Sequence, residues 1–236
     1  MQSIQQPSCV SCGSRTQSII DALVTTELST VSDAKRCGTY SKGDVLYTEG
    51  QFASALHCIH AGHVRVSRYG PDGKELTLRF VGPGDVLGYA ALISGQPYTT
   101  HAVAVESASI CAIPREHVSR IVRDNPTFAL RLMEMISQEL EDAERSIMRL
   151  AQKSVKERVA EALLVLHETF GTKNDGETIN IAFTRDDLST IVGTAPESVI
   201  RALGDFKREQ LITTDGQNIA IRNQSGLAKA ANLGDF

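Results

Sequence analysis

The chain has 236 residues, 42% of them hydrophobic and 22% charged, with a net charge of −4, enough for one large or two ordinary domains whose core needs no staples. The slight acidic excess argues against general affinity for nucleic acid but leaves room for a local DNA-reading face. No apolar run reaches membrane-spanning length and the opening "MQSIQQPSCV" lacks the basic and apolar parts of a signal peptide, so a cytoplasmic protein with no membrane partner is expected.

Residues 1–35 form a cysteine-bearing segment followed by a helix. Its "CVSCGSRTQSI" places Cys9 and Cys12 three apart. Five cysteines in all (Cys9, Cys12, Cys37, Cys58, Cys111) are odd in number and widely spread, which does not suggest a disulfide framework. The Cys-x-x-Cys has no βαβ context for a thioredoxin-like enzyme. A metal site, a thiol redox pair and no role at all remain open for it.

Residues 36–118 read as many short strands. "DVLYTEG", "ALHCIHAGHVRVSRYG", "ELTLRFVGPGDVLGYA" and "THAVAVESASICAIP" are β-branched runs cut by Gly43-Asp44, Ala61-Gly62, Asp72-Gly73 and Gly84-Asp85. That rhythm suggests a small barrel or jelly roll, with Asp72-Gly73 as a hairpin turn. His57, His60 and His63 raise the possibility of a metalloenzyme roll. On one strand, 57 and 63 would share a face and 60 would oppose it, and the Ala61-Gly62 turn breaks even that set. No Ser-His-Asp set, Walker loop or nucleotide-binding glycine motif is visible, so no enzyme is expected. Cys58, in "ALHCIHAG", reads as a small hydrophobe in a packed strand.

Residues 119–153 change period. Asn125-Pro126 opens a long helix in which Met133, Ile136, Leu140, Ala143, Ile147 and Leu150 are spaced 3, 4, 3, 4, 3. A narrow apolar stripe between charged flanks predicts a two-helix dimer seam rather than packing on the chain's own barrel.

Residues 154–236 are helical and end in short strands. "SVKERVAEALLVLHETFG" reads as a helix and "ETINIAF" as a strand. "TRDDLSTIVG" and "TAPESVIRALGDFKREQLI" read as two helices joined at Gly193, and "LITTDGQNIAIRN" as a hairpin around Asp215-Gly216. Two short helices and a hairpin wing make a winged helix-turn-helix. Thr194 is the expected cap of the second helix, with Pro196 just inside it. Glu197 and Arg201 are then i, i+4 neighbours on one face. Glutamate can accept from cytosine N4, arginine can fork onto guanine O6 and N7, and Ser198 can reach base or phosphate. Arg185, Thr194 and Lys207 complete the expected DNA-contacting set, with Lys207 and Arg208 expected to touch phosphate or nothing rather than bases. The plain alternative is a surface Glu197–Arg201 salt bridge.

With these residues in place, the α+β chain resembles the Crp/Fnr family of bacterial transcription regulators. "KGDVLYTEG", "GPGDVLGY" and "CAIPREHV" resemble the family's cyclic-nucleotide-binding-type β-roll, and "TRDDLSTIVGTAPESVIRALGDFKREQLI" resembles its helix-turn-helix. The resemblance implies a homodimer on a palindromic double-stranded DNA site, with RNA polymerase as a further partner. It also puts Glu197 and Arg201 where family members read a G·C pair. Neither main branch is matched in full: Pro196 stands where the cyclic-AMP branch has arginine, and Ile200 where the oxygen-sensing branch has serine. Ile200 would touch a thymine methyl or pack.

In the roll, Tyr89 takes the place of the cyclic-AMP branch's glutamate, while Tyr98 and Thr99 fall near its Arg-Ser pair. Tyr89, Tyr98 and Thr99 are therefore the candidate ligand pocket. No arginine lies between 80 and 114, and a buried phosphate needs a charge partner or several donors, so cyclic AMP is not expected. The chain is closer to the Fnr-like branch, which has Cys-x-x-Cys near its start and a cysteine before "-x-I-P-". Cys9, Cys12 and Cys111 match those places, Ser18 stands where that branch has another cysteine, and Cys37 is the nearest spare thiol. These four are the expected ligands of an iron–sulfur cluster or another thiolate-bound metal. Ala143 falls where oxygen-labile members have an acidic residue, which implies a dimer that needs no cofactor. The rival readings are a regulatory module acting through protein partners and a thiol redox sensor without metal.

Overall fold

The computed structural model describes residues 7–233, which divide into two compact units. One comprises residues up to Tyr69 together with Leu78–Leu140, the other Gly70–Thr77 together with Glu141 onward.

The first unit begins with two 3₁₀ turns, Gly13–Gln17 and Ile19–Ala22, and helix α1 (Thr25–Ala34). The Glu27 carboxylate accepts from the Val24 N–H and ties off the start of α1. Eight strands follow: β1 (Arg36–Tyr40), β2 (Val45–Tyr47), β3 (Ala55–Ala61), β4 (Val64–Tyr69), β5 (Glu75–Val81), β6 (Val86–Leu87), β7 (His101–Ala104) and β8 (Ala108–Pro114). Helix α2 (Tyr89–Ser94) lies between β6 and β7, and α3 (Arg115–Asp124) follows β8. The strands form two four-stranded sheets, ordered β1-β8-β3-β6 and β2-β7-β4-β5. Inward residues of both, such as Leu56, Ile59 and Ile110 from one and Val64, Val66 and Ala102 from the other, share a single buried core. This is the expected jelly roll, with its turns where glycine was read. At the Asp72-Gly73 hairpin, Gly73 adopts φ +76° and the Gly70 N–H donates to Lys74 O, a backbone that residues with a Cβ avoid.

Helix α4 (Pro126–Gln152) opens at the expected place. The Asn125 side chain accepts from the Phe128 N–H at 2.9 Å, and Pro126 sits where no N–H is needed. Only Phe128 and Leu132 of this helix are buried, and both belong to the roll's core.

The second unit holds α5 (Val155–Phe170), α6 (Arg185–Val192), α7 (Pro196–Arg208), the strand pair β9 (Ile212–Asp215) and β10 (Asn218–Ile221), and α8 (Gln224–Ala230). Reciprocal capping boxes, Ser154 with Glu157 and Thr184 with Asp187, start α5 and α6. Val159, Leu163, Leu188, Val199, Leu203 and Phe206 are buried among these helices. Two details differ from the sequence reading. Residue 195 takes the cap position of α7 without a side-chain bond, because Pro196 is the first helical residue and forces its predecessor into extended backbone. Thr194 lies one residue outside, its N–H closing the α6 turn on Ser189 O. "ETINIAF" forms no continuous strand: it has the isolated bridges Thr172↔Ile179 and Thr178↔Ala220 and scattered backbone hydrogen bonds, such as Phe183 N–H to Gln217 O.

Candidate functional sites

The turn between α6 and α7 is made by Gly193, in left-handed backbone at φ +68°, which an L side chain resists. It sets α7 at the surface with its apolar stripe inward. Glu197 and Arg201 are exposed on the opposite face, Ser198 is half-buried beside them, and no ion pair joins Glu197 to Arg201 among the described residues. The surface salt bridge that would have been the plain explanation of the pair is therefore not formed. Ile200 is 53% exposed, so it does not pack in the core. Lys207 is exposed, Arg208 pairs with Asp205, and Arg185 donates to Gly216 O at the tip of the β9–β10 wing, 3.4 Å away. A helix with polar hydrogen-bonding groups free on its outer face, beside a two-stranded wing, is a nucleic-acid reading unit.

At the roll corner Tyr89 and Tyr98 fill the interior, while Thr99 is exposed. Tyr98 stacks on Tyr47 with ring centres 3.8 Å apart, and all three tyrosines are buried. Arg79, on β5, reaches the corner: it donates to the Tyr89 hydroxyl at 3.4 Å and pairs with Glu139 of α4 at 2.6 Å. Residues 80–114 hold no arginine, and Arg79 reaches the corner from one residue before that stretch. Its charge is engaged by a carboxylate of the same chain. Burial pushes the Tyr89 hydroxyl up, and its hydrogen bond to Glu139 adds to the effect. Burial raises Tyr98 to about 12 and also raises Tyr47.

At another place in the roll, Cys9, Cys12 and Cys111, which the sequence reading grouped, come together with residues it left out. Cys9, Cys12, Cys58 and Cys111 line one cavity together with His60 and Lys35. The segment carrying Cys9 and Cys12 folds back onto the roll. The Cys9 N–H donates to Ser32 Oγ at 2.9 Å, Ser14 Oγ donates to His60 O at 2.7 Å, and Cys12 Sγ lies 3.4 Å from His60 Nδ1. Lys35 is 3% exposed, and its ammonium donates to Pro7 O. Cys37 and Cys111 are directly paired residues of β1 and β8, and a disulfide joins them. One bridge is not a framework, but the sequence reading did not pair these two residues. Cys58 on β3 is paired with Cys111 from the other side, and burial pushes its thiol up to about 12. Alternation in "ALHCIHAG" read Cys58 as a packed strand residue, and no local pattern reveals which cysteine stands across the sheet.

The expected four-sulfur metal site does not fit this arrangement. Cys37 and Cys111 are spent on each other, and among the described residues no group of three His, Cys, Asp or Glu side chains is placed to hold a metal ion. The histidines divide as well: His60 faces Cys12, while His63 pairs with Glu106 at 2.6 Å. Among the described residues no helix is long and apolar enough to cross a membrane.

A family model described as a cyclic nucleotide-binding domain matches residues 38–125, and one described as a Crp-like helix-turn-helix domain matches 157–230. The chain is 27% identical over 193 residues to the CRP-like cAMP-activated global transcriptional regulator of Mycobacterium tuberculosis, covering 81% of this chain and 86% of the relative. It is 27% identical over 191 residues to the fumarate and nitrate reduction regulatory protein of Escherichia coli K12, covering 80% and 76%. The structure of FixK2 from Bradyrhizobium japonicum aligns with a TM-score of 0.73 at 25% identity, over 83% of this chain and 96% of that one. A sensor-type roll, a long helix and a winged helix-turn-helix together define a DNA-binding transcription regulator. The chain belongs to the Crp/Fnr family, whose members are regulators rather than enzymes.

Proposed function

We propose that the protein is a homodimeric regulator that reads a palindromic DNA site with α7 and takes a redox signal through the cysteines of its roll. In this reading 1–35 supplies thiols, 36–118 senses, 119–153 dimerises and 154–236 binds DNA. The observation that carries the DNA assignment is the exposed, mutually unpaired Glu197 and Arg201 on the outer face of the second helix of a family helix-turn-helix. Arg201→Ala should cost about 1–3 kcal/mol in site binding and relax the guanine preference at one position per half-site. Selection from a randomised duplex pool reads this out, and an unchanged base preference would favour the module that acts through protein partners. Thr194, Ser198, Arg185 and Lys207 are assigned to phosphate or groove-edge contacts, and their loss should weaken all sequences alike. RNA polymerase is the expected protein partner.

The dimer rests on α4. Met133, Leu140 and Ile147 are 57%, 62% and 65% exposed, and Ile136, Ala143 and Leu150 share the same uncovered stripe. A second copy of the helix would cover it. Ala143→Asp would put a carboxylate pair in that seam. Sedimentation at micromolar concentration should then show monomer, and an intact dimer would sink the seam assignment.

Support for a redox signal comes from five cysteines gathered at one end of the roll. Disulfides in proteins that work beside DNA are ordinarily transient, sensing or catalytic. An iron–sulfur cluster or other metal on Cys9, Cys12, Cys37 and Cys111 requires the Cys37–Cys111 bond to open first. Iron, sulfide and zinc assays on anaerobically purified protein, before and after thiol reduction, decide between the metal and thiol versions. Metal at one equivalent or more in the reduced form would establish the first. A metal-free protein whose DNA affinity still changes with reduction would establish the second.

A further inference from the structure

We propose that Ile200 is a base-reading residue: it packs on the C5-methyl group of a thymine in the major groove, and bare Gly204, one turn on, gives the duplex the clearance to come that close. Each half-site then carries a thymine beside the G·C pair. The inference rests on the DNA-reading assignment of α7 and adds a second base to what that helix selects.

Four large aliphatic or aromatic side chains lie on α7. Val199, Leu203 and Phe206 are buried, whereas Ile200 is 53% exposed. A singly exposed apolar residue is ordinary, but the position of this one is not. Residues 197, 200, 201 and 204 follow the i, i+3, i+4, i+7 spacing that gathers side chains on one helix face. Ile200 thus shares its face with Glu197 and Arg201, both exposed. A β-branched residue is no better than an average helix former, so neither the core nor the helix accounts for isoleucine here.

Gly204 is the second observation. Glycine is among the poorest helix formers, yet it stands within α7. A Cβ added there would meet no atom within 4 Å, so nothing in the chain requires the missing side chain. The bare backbone leaves room for a partner from outside to come against the helix, beside Ile200 at i, i+4.

The chemistry names that partner. In the major groove the bases present donors and acceptors, and thymine alone adds an apolar group, its C5-methyl. The isoleucine side chain makes no hydrogen bond. Laid against an amino or carbonyl edge, it would strip water without replacing it. Laid against a thymine methyl, it buries apolar surface on both partners. Ile200 therefore selects by burial, whereas Glu197 and Arg201 select by hydrogen bonds.

The test starts with selection from a randomised duplex pool by the full chain, with and without dithiothreitol. Each thymine of the selected site is then replaced by deoxyuridine, which pairs as thymine does and lacks only the methyl group. At one thymine position per half-site the replacement should cost about fourfold in affinity, and about fifteenfold when both half-sites are changed, the worth of one buried methyl-sized group at each. Ile200→Ala should bind the thymine and uracil duplexes alike while keeping its guanine preference. Gly204→Ala should bind the selected site more weakly although its melting temperature is equal or higher, a combination that a purely structural glycine would not give. Equal wild-type affinity for thymine and uracil duplexes at every position overturns the proposal, as does a difference that persists in Ile200→Ala. Gly204→Ala binding as tightly as the wild type overturns the clearance. Arg201→Ala separates the two levels. If it loses the guanine preference while uracil replacement has no effect, α7 reads DNA and Ile200 does not. If the wild type selects no site under either condition, the DNA-reading assignment falls and the thymine contact with it.

Discussion

Two corners of the same roll are built in opposite ways. Around Tyr89 and Tyr98 the interior is solid: Tyr47 and Tyr98 are stacked, and Arg79 is held by Glu139. Around Cys111 the roll leaves a cavity and lines it with sulfur. A domain matching the cyclic nucleotide-binding model has thus put its own tyrosines and its own carboxylate into one corner and cysteines into the other. The lesson is that one fold can close a corner by packing its own side chains and leave a sulfur-lined cavity at another.

The contrast can be broken at either corner. The largest effect is expected from Tyr98→Ala, which removes a buried ring from the stack and should cost about 3–5 kcal/mol of stability in denaturant titration. A near-neutral result would mean the corner is not the packed core it is taken for here. Next is reduction of Cys37–Cys111, which closes a long loop at a sequence separation of 74. Dithiothreitol should lower stability by about 2–4 kcal/mol, and Cys111→Ala should abolish the sensitivity. Smaller is Glu139→Gln. The Arg79–Glu139 pair is about one-third exposed on both sides, so solvent screening limits the loss to about 1 kcal/mol or less. That variant also frees the guanidinium, so millimolar cyclic AMP should raise the melting temperature of Glu139→Gln more than that of the wild type. Equal responses would show that Glu139 does not occupy an anion's place.

The last effect appears only as a slope. His57 packs near Tyr47, with ring centres 6.2 Å apart, and burial lowers its pKa from the ordinary 6.5. Below pH 6.5 the unfolded chain takes up a proton that the folded chain refuses, so stability falls as pH drops from 6.5 toward the folded value and is flat above it. Urea midpoints between pH 7 and pH 5 should fall less steeply in His57→Gln. An identical slope would place the acid sensitivity elsewhere.

The DNA-reading half was legible because its signals are local. Gly193 between two periodic stretches, Pro196 just inside the second, and Glu197 four residues before Arg201 all lie within one short stretch, and a helix turns such spacings directly into faces. The same holds for the α4 stripe. The sensor half was legible only as a type of fold. Strand alternation tells which side chains point inward, but not which residue of another strand stands opposite. Cys58 reaches Cys111 through β3–β8 register, and Cys37 reaches it through β1–β8 register. Arg79 meets Glu139 from a different element altogether. Tertiary register fixes those meetings, and no spacing along the chain encodes them. Thr194 failed as a cap for a nearer reason: Pro196 moved the helix start one residue on.

Gly84 gives the sulfur corner a property of time rather than of affinity. It holds φ +98°, and a Cβ there would come within 2.9 Å of Gln17 Cβ and 3.1 Å of Ser14 O, so the turn Gly13–Gln17 rests on bare backbone. The segment fits over the cavity like a stopper on a seat with no clearance to spare. A Gly84→Ala chain would hold that stopper ajar, and its Cys12 should be alkylated faster than in the wild type while the roll stays folded. The rate at which a reagent reaches Cys12 is then governed by one absent methyl group.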